Sequence, residues 1–162
     1  MTRAVVLADT HMREGRPRAL PAEVWSAVEH ADFVIHAGDV VDGFLLDELR
    51  AVRPTYAVLG NNDTVLRDML PARLELTFDG VAIGVVHETG TLKGRAARVR
   101  RWFPACQIVV FGHSHAPCAE WHDGQLLFNP GSPTERRRQP HDSFGIIELE
   151  SGRIARHEIV RV

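Results

Sequence analysis

Strand-length apolar runs separated by helix-like spacing dominate the first sixty residues. AVVLA (4–8), FVIHAG (33–38) and TYAVLG (55–60) are the runs; between them PAEVWSAVEHA (21–31) and GFLLDELRAV (43–52) place their apolar residues on one helical face. Pro21 suits a first helical turn, and Pro54 breaks the chain between the second helix and the third strand. The pattern is βαβαβ, which predicts parallel strands.

The spacing then changes. RLELTF and VAIGVV flank Asp79-Gly80, CAEWH and QLLFN flank Asp123-Gly124, and FGIIELE and RIARHEIV flank Ser151-Gly152, three hairpin signals. A helix of about 92 to 103 and the strand QIVVFG (107–112) lie among them. A parallel-leaning first half and an antiparallel second half predict two stacked mixed sheets with helices outside, an α/β sandwich in one domain spanning 1–162.

Composition adds limits. At 162 residues, 44% hydrophobic and 25% charged, the chain can bury a core without disulfides. A net charge of -2 gives no bulk-charge signal for a polyanion binder, although KGRAARVRR (93–101) and RRR (136–138) are local basic runs. The first alternates with Ala96, Ala97 and Val99, as the wet face of a helix does. Cys106 and Cys118 form no CxxC pair and read as small apolar side chains in a reducing compartment. No long apolar window is present and Asp9 comes too early for a signal core, so a cytoplasmic protein with no membrane segment is expected.

The candidate chemistry lies just past the apolar runs. AVVLA leads to Asp9 and His11, FVIHAG to Asp39, TYAVLG to Asn61, VAIGVV to His87, and QIVVFG to His113 and His115. Each is a metal-ligand type, and open sheets gather their sites beyond the carboxyl ends of strands. Singly, such an Asp reads as a helix cap and such a His as a solvated side chain. Together, in this order, they point to one metal centre.

This ordered set resembles the calcineurin-like metallophosphoesterases, and in particular their small prokaryotic phosphodiesterase branch. The blocks that carry it are ADTH (8–11), HAGDVVD (36–42), LGNND (59–63), VHETG (86–90), FGHSH (111–115) and NPGS (129–132). The resemblance implies a four-layer αββα sandwich and two divalent metal ions drawn from Mn, Ni, Fe or Zn. Asp9, His11, Asp39 and His115 would hold one ion; Asp39, Asn61, His87 and His113 would hold the other, with Asp39 bridging. It also implies in-line hydrolysis of a P–O ester by a hydroxide held between the metals.

Two positions depart from the family pattern. Asn62 stands where the wider family has a His that assists the leaving group, and an amide can donate a hydrogen bond but not a proton. Asp39, Asn62 and Asp63 are the candidate catalytic residues, with anchoring of the turn the stronger reading for Asp63. Thr89 stands where many relatives carry a second His, and the neighbouring Glu88 is expected to point away from a bound phosphate. His36, inside its strand, is expected to orient a ligand from behind.

The leading function is a metal-dependent phosphodiesterase acting on a small phosphoester. A non-catalytic metal-binding scaffold of the same fold is the alternative, and a phosphomonoesterase the second. Nucleic acid is the lesser reading for the basic runs, whose neighbourhood offers only Trp102 and Phe103 for stacking. A homo-oligomer stays open.

Overall fold

Strand β1 (Thr2–Leu7) sets the layering, because its successive side chains face opposite sides of the sheet. Val5 and Leu7 join a core with Val24, Val28, Leu45, Leu46 and Leu49, whereas Ala4 and Val6 join another with Ile83, Val85, Ile108, Leu126 and Phe128. One face of the strand therefore meets helices and the other meets a second sheet.

The computed structural model describes all 162 residues. After β1 come α1 (Ala22–Glu29), β2 (Phe33–His36), α2 (Phe44–Val52), β3 (Thr55–Ala57) and a 3-10 turn at Thr64–Leu66. The second half holds β4 (Arg73–Phe78), β5 (Val81–Val86), α3 (Arg95–Trp102), β6 (Ile108–Val110), β7 (Cys118–His122), β8 (Gln125–Asn129), β9 (Ser143–Glu150) and β10 (Arg153–Arg161). The sheets run β10-β9-β1-β2-β3 and β4-β5-β6-β8-β7. A third core, with Val99, Phe103, Cys106, Val109 and Phe111, lies under α3. The order is helices, sheet, sheet, helix, a four-layer αββα sandwich.

The predicted hairpins are present with left-handed backbone at both turn residues. Asp79 and Gly80 have φ 49° and 77°, Asp123 and Gly124 47° and 78°, and Ser151 and Gly152 49° and 78°, as a two-residue turn of the I′ kind requires. The halves divide less cleanly than the spacing predicts. β5, β6 and β8 are parallel neighbours, and β9 leaves the second half to pair antiparallel with β1. Crossovers through α3 and through the β7 connection produce that parallel centre, and the hairpin signals do not record them. No helix is long and apolar enough to cross a membrane.

Candidate metal centre

The carboxyl ends of β1, β2 and β3 point to the same edge of the sandwich as those of β5 and β6. The β1 and β2 loops run on side by side, with Asp9 N donating to Gly38 O at 2.9 Å and His11 N to Asp39 O at 2.9 Å. Gly60 closes in from the β3 loop. A Cβ there would stand 2.1 Å from Asp39 N, and one on Gly38 would stand 2.7 Å from His87 Nδ1, so these backbones approach only because neither residue has a side chain.

All seven candidate ligands reach this edge in two groups. His11 Nε2 lies 3.2 Å from His115 Nε2 and 3.5 Å from Asp39 Oδ2, and His115 Nε2 lies 3.8 Å from Asp9 Oδ1. On the other side Asn61 Oδ1 is 2.9 Å from His87 Nε2 and 3.0 Å from His113 Nδ1. Asp39 Oδ2 sits between the groups, 3.4 Å from His87 Nε2. Asp9 also approaches the second group, its Oδ1 being 4.0 Å from His87 Nε2. Asp39 is the nearer of the two shared carboxylates.

Backbone strain accompanies the convergence. Asp9, His11, Asp39, His113 and His115 all have φ between 45° and 71°, a region that non-glycine residues seldom occupy. Strain of this kind collects where surrounding structure holds functional side chains in place.

The tautomers are set from behind. Nδ1 of His87 faces Ala37 O at 2.7 Å and Nδ1 of His115 faces the carbonyl of Glu135, so each ring donates there through Nδ1 and turns Nε2 toward the centre. Burial holds the imidazoles of His11 and His115 below the usual histidine range. Burial also pushes His87 down, but the hydrogen bond and charge of Asp39 outweigh it and the net shift is upward. Asp39 is pushed up by burial, yet hydrogen bonds from His87 and Asn62 bring it well below the carboxylate range. Burial raises Asp9 to about 7 against the opposing charge of His87, and its Oδ2 is buried without a partner.

Such a donor set fits divalent cations. Ligand atoms of Asp9, His11 and His115 lie within 4.8 Å of one another, as do those of Asp9, Asp39 and His87. Imidazole nitrogens set close around buried carboxylates make a mixed nitrogen and oxygen donor set, which suits borderline transition ions.

Asp63 stands beneath the site rather than in it. Its Oδ2 accepts from Asp39 N at 2.9 Å and Gly60 N at 2.7 Å, and its Oδ1 accepts from Val41 N at 2.6 Å. Both oxygens are engaged by backbone N–H groups, which ties the Asp39 loop to the Gly60 loop. Asn62 donates to both oxygens of Asp39 and faces the adjoining cavity. Glu88 is turned to solvent, its Oε1 3.8 Å from His113 Nε2, the ring nitrogen opposite the one that faces Asn61. His36 is fully buried, accepts from Gly38 N through Nδ1 and meets Thr10 Oγ1 at 3.0 Å through Nε2, which braces the loop between Asp9 and His11.

The sequence reading missed Glu135 and Arg18. Glu135 Oε2 lies 3.6 Å from His11 Nε2 and 3.3 Å from Arg18 Nη1, and Arg18 also donates to His11 O. Neither follows an apolar run, so the rule that found the other residues could not reach them. The NPGS element braces the ligand loops: Ser132 Oγ donates to Asp9 O at 2.8 Å and Asn129 Nδ2 to Gly112 O at 3.0 Å.

Residues 2–152 match the family model of the calcineurin-like phosphoesterase superfamily domain. A probable metallophosphoesterase of Methanocaldococcus jannaschii is 33% identical over 135 residues, covering 82% of this chain and 68% of that protein. Among solved structures, Vps29 of Entamoeba histolytica complexed with zinc shares the fold at TM-score 0.80 and 20% identity, covering 99% of this chain and 98% of that one. A protein described as a novel archaeal phosphodiesterase shares it at TM-score 0.73 and 21% identity, covering 99% and 100%. With the family match running almost end to end over a chain whose strand ends bring these ligand types together, the protein belongs to the calcineurin-like phosphoesterase superfamily.

Proposed function

We propose that the chain is a metal-dependent phosphodiesterase, hydrolysing one P–O bond of a small phosphodiester with two divalent ions. The observation that carries this is the place of Asp39, whose Oδ2 lies 3.5 Å from His11 Nε2 and 3.4 Å from His87 Nε2, between two sets of ligands. Asp9, His11, Asp39 and His115 would hold one ion, and Asp39, Asn61, His87 and His113 the other. When bound, such a pair acidifies a water and neutralises charge on the phosphoryl oxygens.

The chain's own residues then do three things. His87 and His115 present lone pairs inward because their other nitrogens are engaged with backbone carbonyls. Asn61 supplies a neutral oxygen, which limits the negative charge facing an anionic ester. Asn62 steadies Asp39 but brings no transferable proton, so leaving-group departure relies on ester activation or on solvent. Diester hydrolysis is favoured because this lack of a His resembles the diesterase branch, and because a structural neighbour is described as a phosphodiesterase.

The test compares bis-p-nitrophenyl phosphate with p-nitrophenyl phosphate, using metal-stripped protein reloaded with Mn, Ni, Zn or Mg and Asp39→Asn as control. Diester turnover that depends on metal and on Asp39 is expected. Metal binding without turnover of either ester would overturn the enzyme reading in favour of a metal-binding scaffold, and preference for the monoester would overturn the diesterase assignment.

A further inference from the structure

Beside the metal centre opens a cavity of about 440 Å³ whose walls include His11, Asn62, Glu135 and three arginines, Arg13, Arg16 and Arg18. His11 and Asn62 belong to the centre, so whatever enters the cavity is continuous with a substrate held there. Its lining is polar and cationic, on a chain whose net charge is -2.

The three arginines are not equivalent. Arg18 is committed, since its Nη1 lies 3.1 Å from His11 O and 3.3 Å from Glu135 Oε2, and its charge offsets that of Glu135. Arg13 and Arg16 form no ion pair within the chain and are exposed. A turn holds them together: Arg16 N donates to Arg13 O at 3.2 Å, and Gly15 at φ 72° supplies the left-handed residue that the turn needs. Glu14 N donates to Asp42 Oδ2 at 3.0 Å, which ties this turn to the loop that carries Asp39. Two unpaired guanidinium groups thus stand on one wall, carried by a single turn, and forked cations of this kind suit the several oxygens of a phosphate.

We propose that Arg13 and Arg16 form a subsite for a second anion, a phosphate carried on one ester arm, so that the favoured substrate is a small phosphodiester with a terminal phosphate. The assignment rests on the phosphodiesterase reading for the word substrate, but the subsite itself is a property of the cavity. Apart from His11 no aromatic ring lines it, so the cavity recognises charge and offers no aromatic platform for stacking a base.

The experiment titrates manganese-loaded protein calorimetrically with propane-1,3-bisphosphonate and, separately, with propylphosphonate. Wild type is compared with Arg13→Ser/Arg16→Ser and with Arg101→Ser, which removes an exposed arginine on α3. Chelation of free metal is common to all three proteins and cancels in the comparison. Wild type and Arg101→Ser are expected to bind the bisphosphonate about tenfold more tightly than the monophosphonate, as one good charge-assisted contact gives, and the double variant to lose that preference. Equal affinity for the two probes in wild type, or a preference that survives in the double variant, or one lost equally in Arg101→Ser, overturns the subsite. Hydrolysis of bis-p-nitrophenyl phosphate by wild type, neither of whose ester arms carries a second anion, decides the phosphodiesterase reading separately. An active enzyme without the preference loses only the subsite, whereas an inactive protein that keeps an arginine-dependent preference loses only the catalytic reading.

Discussion

Asn62 grips Asp39 twice, its backbone N–H reaching Oδ1 at 2.8 Å and its side-chain amide reaching Oδ2 at 2.8 Å. The carboxylate set between the two ligand groups is therefore aimed by the residue that replaces a proton donor in the wider family. An amide can hold that position, and it cannot protonate a departing alkoxide.

The first prediction concerns that trade. Rates for wild type should fall steeply as the leaving group becomes more basic, because no side chain at residue 62 delivers a proton. Asn62→His should raise hydrolysis of an alkyl ester by about tenfold or more while changing an activated aryl ester far less, since general acid help is worth about 10²–10⁴-fold and matters most for poor leaving groups. Measuring rate against leaving-group pKa in both proteins checks this. Parallel lines for the two would show that the proton comes from elsewhere.

Asp63 gives the second. Removing its carboxylate in Asp63→Ala leaves the N–H groups of Asp39, Gly60 and Val41 without their partner, two of them at 2.9 and 2.7 Å and the third at 2.6 Å. Val41 is held at φ 80°, a costly conformation for a β-branched residue, and that hold is lost as well. Three buried donors losing a charged acceptor should destabilise the metal-free protein by about 3 kcal/mol or more, read as a lower urea midpoint at unchanged slope. A loss of activity with unchanged stability would instead put Asp63 among the reacting groups.

How far the sequence reaches is visible in these two residues. The ligand types could be found because each follows an apolar run, and the layer order could be found because the runs alternate with helix-like segments. What Asn62 and Asp63 touch could not be found, since both partners lie about 24 positions earlier and meet them only because Gly38 and Gly60 let two loops close on each other. The same holds for the sheet order. Ser151-Gly152 announces a hairpin, but the pairing of β9 with β1 depends on which sheet edge is open after β1, β2 and β3 have assembled. Glu135 and the arginines of the 13–18 loop carry no local signal at all, because their proximity to His11 exists only in the folded chain.

Metal loading gives the third prediction. A ligand that binds only the folded chain stabilises it by about 2.7 kcal/mol at a hundredfold excess over its dissociation constant, which for a chain of this size corresponds to about 5–10 °C in Tm. Adding manganese or zinc to chelator-treated wild type should produce such a rise. Asp39→Asn should lose most of it, because the change weakens both ligand groups at once, and Asn61→Ala should lose only the part contributed by one ion. Equal losses in the two variants would argue against two separable sites.

The fourth follows from His36, which burial holds at about 3 against an ordinary value of 6.5. The folded pKa lies below the unfolded one, so between pH 6.5 and 3 the unfolded chain takes a proton that the folded chain refuses. The contribution is fully present above 6.5 and is lost as pH falls through that window, by about 1.4 kcal/mol per pH unit. Asp9, raised to about 7, works in the opposite direction in metal-free protein, because there the folded chain is the one that binds the proton. That opposing term is common to wild type and to His36→Gln, so the difference between them isolates His36. Denaturation of both proteins in chelator from pH 7.5 to 5 should show wild type losing its advantage progressively below about pH 6.5. A difference that stays constant across the range would mean that His36 takes up its proton in the folded chain, and its Nδ1, which accepts from Gly38 N, would then need another geometry.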